Sequence, residues 1–208
     1  MGHKIKNNTI ITDTGGITYL NATVTADDSI TFISGLQGTI SGYTSGGETP
    51  TSNVIDKFPF ATDTNATDVG DLTQARWGLA GQSSISSGYS SGGRITSEVD
   101  TVDKFPFSAN ANATDVGNLS TGRYVSAGNS NVASGYTSGG ATFPPLVLLN
   151  TIDKFPFSAD ANATDVGDLT QARNFIAGQS SSASGYTSGG SIPGTTNVID
   201  KFPFATDT

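Results

Sequence analysis

Apolar residues in this chain come in short runs and alternate with polar ones. No stretch shows the three-and-four spacing of an amphipathic helix. The clearest case is Ile55-Asp56-Lys57-Phe58-Pro59-Phe60, whose alternation places Ile55, Lys57 and Pro59 on one side of a strand and Asp56, Phe58 and Phe60 on the other. Gly, Ser, Thr and Asn break the pattern roughly every seven to ten residues, which is the punctuation of short strands joined by turns. The chain is therefore expected to be all-β.

The same phrase recurs, as IDKFPF at Ile55–Phe60, VDKFPF at Val102–Phe107, and IDKFPF at Ile152–Phe157 and Ile199–Phe204, at spacings of 47, 50 and 47 residues. A GYTSGG or GYSSGG phrase begins ahead of each copy, at Gly42, Gly88, Gly135 and Gly185, and NATDVG follows the first three, at Asn65, Asn112 and Asn162. Each full unit opens on an arginine and an Ala-Gly pair: Arg76 with Ala80-Gly81, Arg123 with Ala127-Gly128, Arg173 with Ala177-Gly178. A period of roughly 20–50 residues marks an array in which one supersecondary unit cannot bury its face without neighbours. Four strands are expected per unit, through Ala-Gly, Tyr-Thr-Ser-Gly, DKFPF and Thr-Asp-Val-Gly, and four antiparallel strands make a propeller blade. The recurring proline (Pro59, Pro106, Pro156, Pro203) cannot donate a ladder hydrogen bond and argues for an edge strand or a bulge. The units run over 29–72, 73–119, 120–169 and 170–208, the last without an outer strand. They follow an amino-terminal segment, 1–28, in which Ile17–Val24 would supply strands that anchor the array or close a ring.

An arginine-led strand, a strand ending in Gly-Gly and an apolar-charged strand after it resemble the kelch repeat. The match covers Thr73 to Thr208, with a divergent first copy from Ser29. Gly46-Gly47, Gly92-Gly93, Gly139-Gly140 and Gly189-Gly190 stand at the place of the kelch double glycine, and Arg76, Arg123 and Arg173 at that of its arginine. Kelch repeats carry a tryptophan after the third strand, where this chain has Asn65-Ala66-Thr67 and its copies. The wording of DKFPF and NATDVGDL also resembles kelch-like arrays of marine phage structural and fibre proteins. The resemblance implies a kelch-like β-propeller or an open array of four-stranded blades. It also implies a non-enzymatic structural and binding role as a virion tail fibre, head fibre or decoration protein, or as a surface adhesion protein. Such a protein would sit on the virion surface or outside the cell. Its partners would be copies of itself, other virion or surface proteins, and a host-surface glycan or protein. A carbohydrate-active enzyme on a propeller and a protein-interaction adaptor are the competing readings.

Composition removes several chemistries. The chain has no Cys and one His, His3, so thiolate nucleophiles, Cys-based zinc sites and triads that use His are excluded, and His3 is expected to be merely exposed. A net charge of −8 with ten scattered basic residues argues against nucleic acid as a partner. The longest apolar run, Phe143–Leu149, contains two prolines and falls far short of the ~20 residues of a membrane helix, so no membrane insertion is expected. The start of the chain lacks the apolar core and small-residue cleavage site of a signal peptide. Charged residues are only 13%, against a usual ~25%, so Ser and Thr hydroxyls are expected to carry solubility. No cofactor is expected.

Copies differ most between the double glycine and DKFPF, in segments starting at Glu48, Arg94, Ala141 and Ser191. Connections tolerate change where strands must pack, so these segments form the expected binding face. Arg94, Glu98, Phe143, Leu146 and Leu148 are its candidate ligand-binding residues. The apolar stretch Phe143–Leu149 suits a partner contact or packing on a neighbouring blade or chain. Asp63, Asn65, Asp68 and Asp71 invite a calcium reading, but the second copy has Ala109, Asn110 and Asn118 where most of the acids would be, and the twelfth-position Glu is missing. Asn and Asp turns ending at Gly70, Gly117 and Gly167 explain the phrase more simply, so no metal site is expected. A glycosidase pair should be singular where these carboxylates are a refrain, so no catalytic residue is expected either. Arg76, Arg123 and Arg173 are expected to make blade-to-blade hydrogen bonds or ion pairs, and Tyr43, Tyr89, Tyr136 and Tyr186 to pack in the core.

Overall fold

The glycine of each GY phrase and the first phenylalanine of each DKFPF phrase are partners across an antiparallel ladder. Gly42 lies opposite Phe58, Gly88 opposite Phe105, Gly135 opposite Phe155 and Gly185 opposite Phe202. The ring lies over the glycine, so a Cβ placed on Gly88 would stand 2.2 Å from Phe105 Cζ. The two phrases are therefore tied to each other, and that pairing is the centre of every sheet.

The computed structural model describes residues 40–207 and, before them, the backbone of four short strands. These four lie in the unit Met1–Leu36: β1 (Thr9–Ile11) pairs with β2 (Ile17–Tyr19), and β3 (Ala22–Val24) with β4 (Ile30–Phe32). The strands expected in Ile17–Val24 thus form, and pair within that unit. His3 and its expected exposure lie outside the described residues.

The second unit, Gln37–Thr208, holds four antiparallel sheets in chain order. The first consists of β5 (Ser41–Gly47), β6 (Ser52–Pro59) and β7 (Thr67–Asp71). The second consists of β8 (Ala80–Ser83), β9 (Ser87–Ser91), β10 (Thr101–Pro106) and β11 (Thr114–Asn118). The third is built from β12 (Ala127–Ser130), β13 (Ser134–Ser138), β16 (Thr151–Pro156) and β17 (Thr164–Asp168), with the small hairpin β14 (Ala141–Thr142) and β15 (Val147–Leu148) in between. The fourth has β18 (Ala177–Ser180), β19 (Ser184–Ser188) and β22 (Ile199–Pro203), with the hairpin β20 (Ser191–Ile192) and β21 (Gly194–Thr195). Strands within each sheet follow chain order, and the complete sheets carry one strand on each of the four phrases. The fourth sheet has no outer strand among the described residues, as the shortened repeat suggests.

The proline expectation needs correction for the first three sheets, where DKFPF is a central strand, as β10 lies between β9 and β11; in the fourth sheet β22 is at the edge among the described residues. Pro106 is tolerated there because pairing with β11 ends at Lys104, opposite Thr114, while Pro106 itself faces Ser87 of β9. The bulge falls earlier, between Val102 and Asp103.

Successive sheets stack through the two faces that the alternation defines. Ile55 and Leu72 meet Phe105 and Ala113; Tyr89, Val102 and Leu119 meet Phe155 and Ala163; Tyr136, Ile152 and Leu169 meet Phe202 and Phe204. At each junction the tyrosine of one sheet stacks on the second phenylalanine of the next, with centroids 4.9 Å apart for Tyr43–Phe107, 4.7 Å for Tyr89–Phe157 and 4.9 Å for Tyr136–Phe204. Such ring pairs contribute about 0.5–1.5 kcal/mol beyond the area they bury. The expected core role of the tyrosines holds for Tyr89 and Tyr136, which are 4% and 0% exposed.

Hydroxyls do more inside than the composition suggests. Ser90, Ser91, Thr137, Ser138 and Thr187 are all buried. They pair across sheets, Ser45 with Ser90 at 2.7 Å, Ser91 with Thr137 at 2.7 Å and Ser138 with Thr187 at 3.0 Å. Beside them Gln82 Nε2 donates to Tyr136 O and Asn129 Nδ2 to Gln179 O. In each of these pairs the fourth residue of one GYTS or GYSS phrase meets the third residue of the next phrase, which avoids the cost of an unpaired buried polar group at these positions.

The inner strands β8 and β12 approach so closely that a Cβ on Gly128 would lie 2.1 Å from Gly81 O, whereas one on Gly81 would meet nothing within 4 Å. Gly128→Ala should therefore cost about 1–3 kcal/mol in urea unfolding, the usual penalty of overpacking. Gly81→Ala should stay within about 0.5 kcal/mol of the parent; equal losses for both would contradict this stacking.

Stability should also fall in alkali. Burial raises the pKa of Tyr89 above the ordinary 10.0, and burial together with the Asp207 charge raises that of Tyr136; a hydrogen bond to Asp160 raises Lys104 above 10.5. All three bind their proton more tightly in the folded chain. Their contribution is complete below about pH 10 and is lost as pH rises through the folded values. The melting temperature should be level from about pH 7 to 9 and decline beyond 10; a level profile to about pH 11.5 would contradict it.

Candidate functional site

The residue after each repeated arginine is gripped by the connection that follows the double glycine. Trp77 exchanges two backbone hydrogen bonds with Arg94, Tyr124 with Ala141 and Asn174 with Ser191, at 2.8–3.1 Å. Three connections, starting at 94, 141 and 191, thus fold back over three equivalent points of the array. The residues presented there differ between repeats: Trp, Tyr and Asn.

The first two of these connections meet. The Arg94 guanidinium lies 5.3 Å from the centroid of Tyr124 and 5.0 Å from that of Phe143, and Trp77 packs edge-on against Tyr124 at 5.2 Å. Arg94 pairs with Glu98 at 3.4 Å, and the same Glu98 oxygen accepts the Phe143 N–H at 3.0 Å. Glu98 therefore neutralises the cation while tying the second connection to the first. Arg94, Glu98 and Phe143, three of the five residues singled out in the sequence, form one cluster. The other two lie on the adjoining hairpin, where Leu146 is 57% exposed at the turn and Leu148 is half-buried in β15 opposite Ala141. Phe143 and Val147 are 46% and 47% exposed, so this hairpin carries an apolar surface bordered by the Arg94–Glu98 pair. Peptide bonds Phe143-Pro144 and Pro144-Pro145 are cis.

Trp77 and Tyr124 belong to this cluster and were missed in the sequence. The available signal was their place directly after Arg76 and Arg123, a position where otherwise similar copies change residue. A cation held against two rings contributes about 0.5–1 kcal/mol each at a partly exposed site, enough to order side chains without burying them.

The acidic phrase is not the turn expected of it: Asp68, Asp115 and Asp165 stand in β7, β11 and β17, where the ladder shifts register. Asp68, Asp115 and Asp165 accept the N–H of Gly70, Gly117 and Gly167 at 3.1–3.2 Å. Asn112 and Asn162 accept backbone N–H groups of Asp71 and Asn118 in the preceding sheet, at 3.0 Å each. Among the described residues no three acidic or histidine side chains gather to hold a metal. A concavity of about 320 Å³ opens beside β5 between the first and second sheets, lined by Tyr43, Phe58, Gln82, Tyr89 and Phe105. The first sheet has no counterpart of β8 among the described residues, and the cavity occupies that side of it.

No family model matches the chain, and no curated protein is similar to it.

Because Glu98 holds the Phe143 amide, Glu98→Ala should speed hydrogen exchange of that amide at least about tenfold, the effect of losing one hydrogen bond to a charged acceptor. The Leu119 amide, bonded to Asp100 O, should be unchanged. Unaltered exchange at Phe143 would mean that the cluster does not persist in solution.

Proposed function

We propose that this chain is a non-enzymatic, kelch-like array of β-blades that works as a structural and binding module. It belongs on a virion, as a fibre or decoration protein, or on an adhesive cell surface. It recognises a surface glycan or protein through the connections around Arg94, Glu98, Phe143, Leu146 and Leu148. The observation that carries this reading is the contrast between a repeated interior and a singular loop face. Repeated carboxylates are committed to structure: Asp103, Asp153 and Asp200 to buried arginines, Asp68, Asp115 and Asp165 to the backbone N–H of the glycine two residues on. Where the repeats diverge, two aromatic rings flank the Arg94 guanidinium beside exposed apolar side chains of the Phe143–Val147 hairpin. Aromatic faces beside a polar fork are the chemistry with which proteins hold sugars and peptide surfaces. Committed, repeated carboxylates leave little for hydrolysis, which disfavours the enzymatic reading.

The test is binding of the purified chain to intact bacterial cells and to an array of bacterial surface polysaccharides. Phe143→Ser combined with Leu146→Ser should reduce retention at least about tenfold, as loss of an interface anchor does, with an unchanged urea midpoint. Binding that survives this change would move the site elsewhere. Release of sugar from any polysaccharide, abolished by Asp165→Asn with Asp168→Asn, would overturn the non-enzymatic reading.

A further inference from the structure

Among the described residues of the second unit the stack of sheets has two uncovered faces, and they are chemically the two halves of its own internal junction. Each junction joins a donor face, bearing an apolar residue, a tyrosine and a lysine, to an acceptor face bearing two phenylalanines; at the second and third junctions the loop after DKFPF adds an acid, where the first has Asn110. Between the second and third sheets these are Val102, Tyr89 and Lys104 against Phe155, Phe157 and Asp160, with the Lys104–Asp160 pair at 3.0 Å. Between the third and fourth they are Ile152, Tyr136 and Lys154 against Phe202, Phe204 and Asp207, and Lys154 again pairs with Asp207.

The fourth sheet presents the donor face, and among the described residues nothing packs upon it. Ile199 is 69% exposed where Ile55, Val102 and Ile152 are 0–2% exposed. Ala177 and Gln179 are exposed where Ala127 and Gln82 are buried. Lys201 lies over the Tyr186 ring, as Lys154 lies over Tyr136, but has no acidic partner among the described residues. The first sheet presents the acceptor face. Phe60 is 57% exposed, whereas its equivalent Phe204 is 8% exposed. Asp63, at the sequence position of Asp160 and Asp207, has no ion-pair partner among the described residues.

We propose that the fourth sheet of one copy stacks on the first sheet of a second copy, head to tail. The contact rebuilds the internal junction with Tyr186 and Ile199 on Phe58 and Phe60, and Lys201 on Asp63. The occupant is a second copy because ring positions, apolar partners and charges of the two ends match in the register that recurs inside the chain. A heterologous contact of this kind propagates into a ring or a filament, depending on the rotation per copy. It is independent of what the loop face binds.

Sedimentation equilibrium of the 208-residue chain between about 1 and 100 μM tests this. The mean mass should rise with concentration beyond one chain. Phe60→Ser and Ile199→Ser should each weaken association at least about tenfold, and because both side chains are exposed in the single chain, the urea midpoint should not move. Asp63→Lys and Lys201→Glu should each weaken association, and the double variant should recover it, which a folding defect would not do. Phe143→Ser, on the loop face, should leave association unchanged. A single-chain mass throughout the range would overturn the proposal, whether from closure of the ends within one chain or from their staying apart. So would association indifferent to the end variants.

Discussion

One buried arginine per connection holds neighbouring sheets in register, and the rest of the architecture depends on it. The backbone carbonyl of Arg123 accepts the N–H of Gly93 in the second sheet at 2.7 Å, while its guanidinium reaches into the third, donating to Asp153 at 3.0 Å and to Thr151 O at 3.0 Å. Arg76 and Arg173 repeat the arrangement, with carbonyls on Gly47 and Gly140 and side chains paired with Asp103 and Asp200. All three arginines are wholly buried. Burial pushes the pKa of Arg76 and Arg123 below the usual range while the aspartate pulls it back, so each pair compensates a desolvation that neither charge would tolerate alone. Ser120 supplies Asp153 with two more donors, its N–H at 2.9 Å and its hydroxyl at 2.7 Å, so that both carboxylate oxygens are hydrogen-bonded.

The repeated phrases acquire their meaning from this geometry. Gly92, at φ +66°, has no room for a side chain because a Cβ would come within 2.5 Å of Arg123 O. The double glycine is thus the seat of the next arginine, the aspartate of DKFPF is the socket for its charge, and the lysine directly after it, on the other face, reaches forward to the following sheet at Lys104 and Lys154. Arginine, glycine pair and DKFPF are one device spread over three places in the chain, so a change in any one disturbs the other two.

Much of this was legible in the sequence. Strand positions followed from the phrases, and the alternation in DKFPF correctly sent Asp103 and Phe105 one way and Val102 and Lys104 the other. A period-2 side-chain pattern leaves no other choice once one face is buried. The arginine's structural role was also legible, but not its partner, since Asp103 stands 27 positions after Arg76 and several acids compete in between. The central position of the proline strand was hidden because propensity rules address a whole strand, while the ladder to β11 simply stops before Pro106. Serine and threonine were read as surface residues because composition cannot distinguish a hydroxyl that meets water from one that meets another hydroxyl in the next sheet. Trp77 and Tyr124 escaped notice for the opposite reason: they are singular, and a search guided by repeats favours what recurs.

That division between recurring interior and singular loops accounts for how the chain can be so uniform and still carry a distinctive surface. Stacking sets tight limits on glycines, phenylalanines and buried charges in every copy, whereas the connections after the double glycine need only return to the residue beyond the arginine. The account stands or falls on the buried charge pair. A double-mutant cycle on Arg123→Met and Asp153→Leu, followed by urea unfolding, addresses it directly. Each single change should cost about 3–5 kcal/mol by stranding a buried charge, and the double should recover a substantial part of the summed loss. Single variants within about 0.5 kcal/mol of the parent, with strictly additive effects, would show that the sheets are held together by something else.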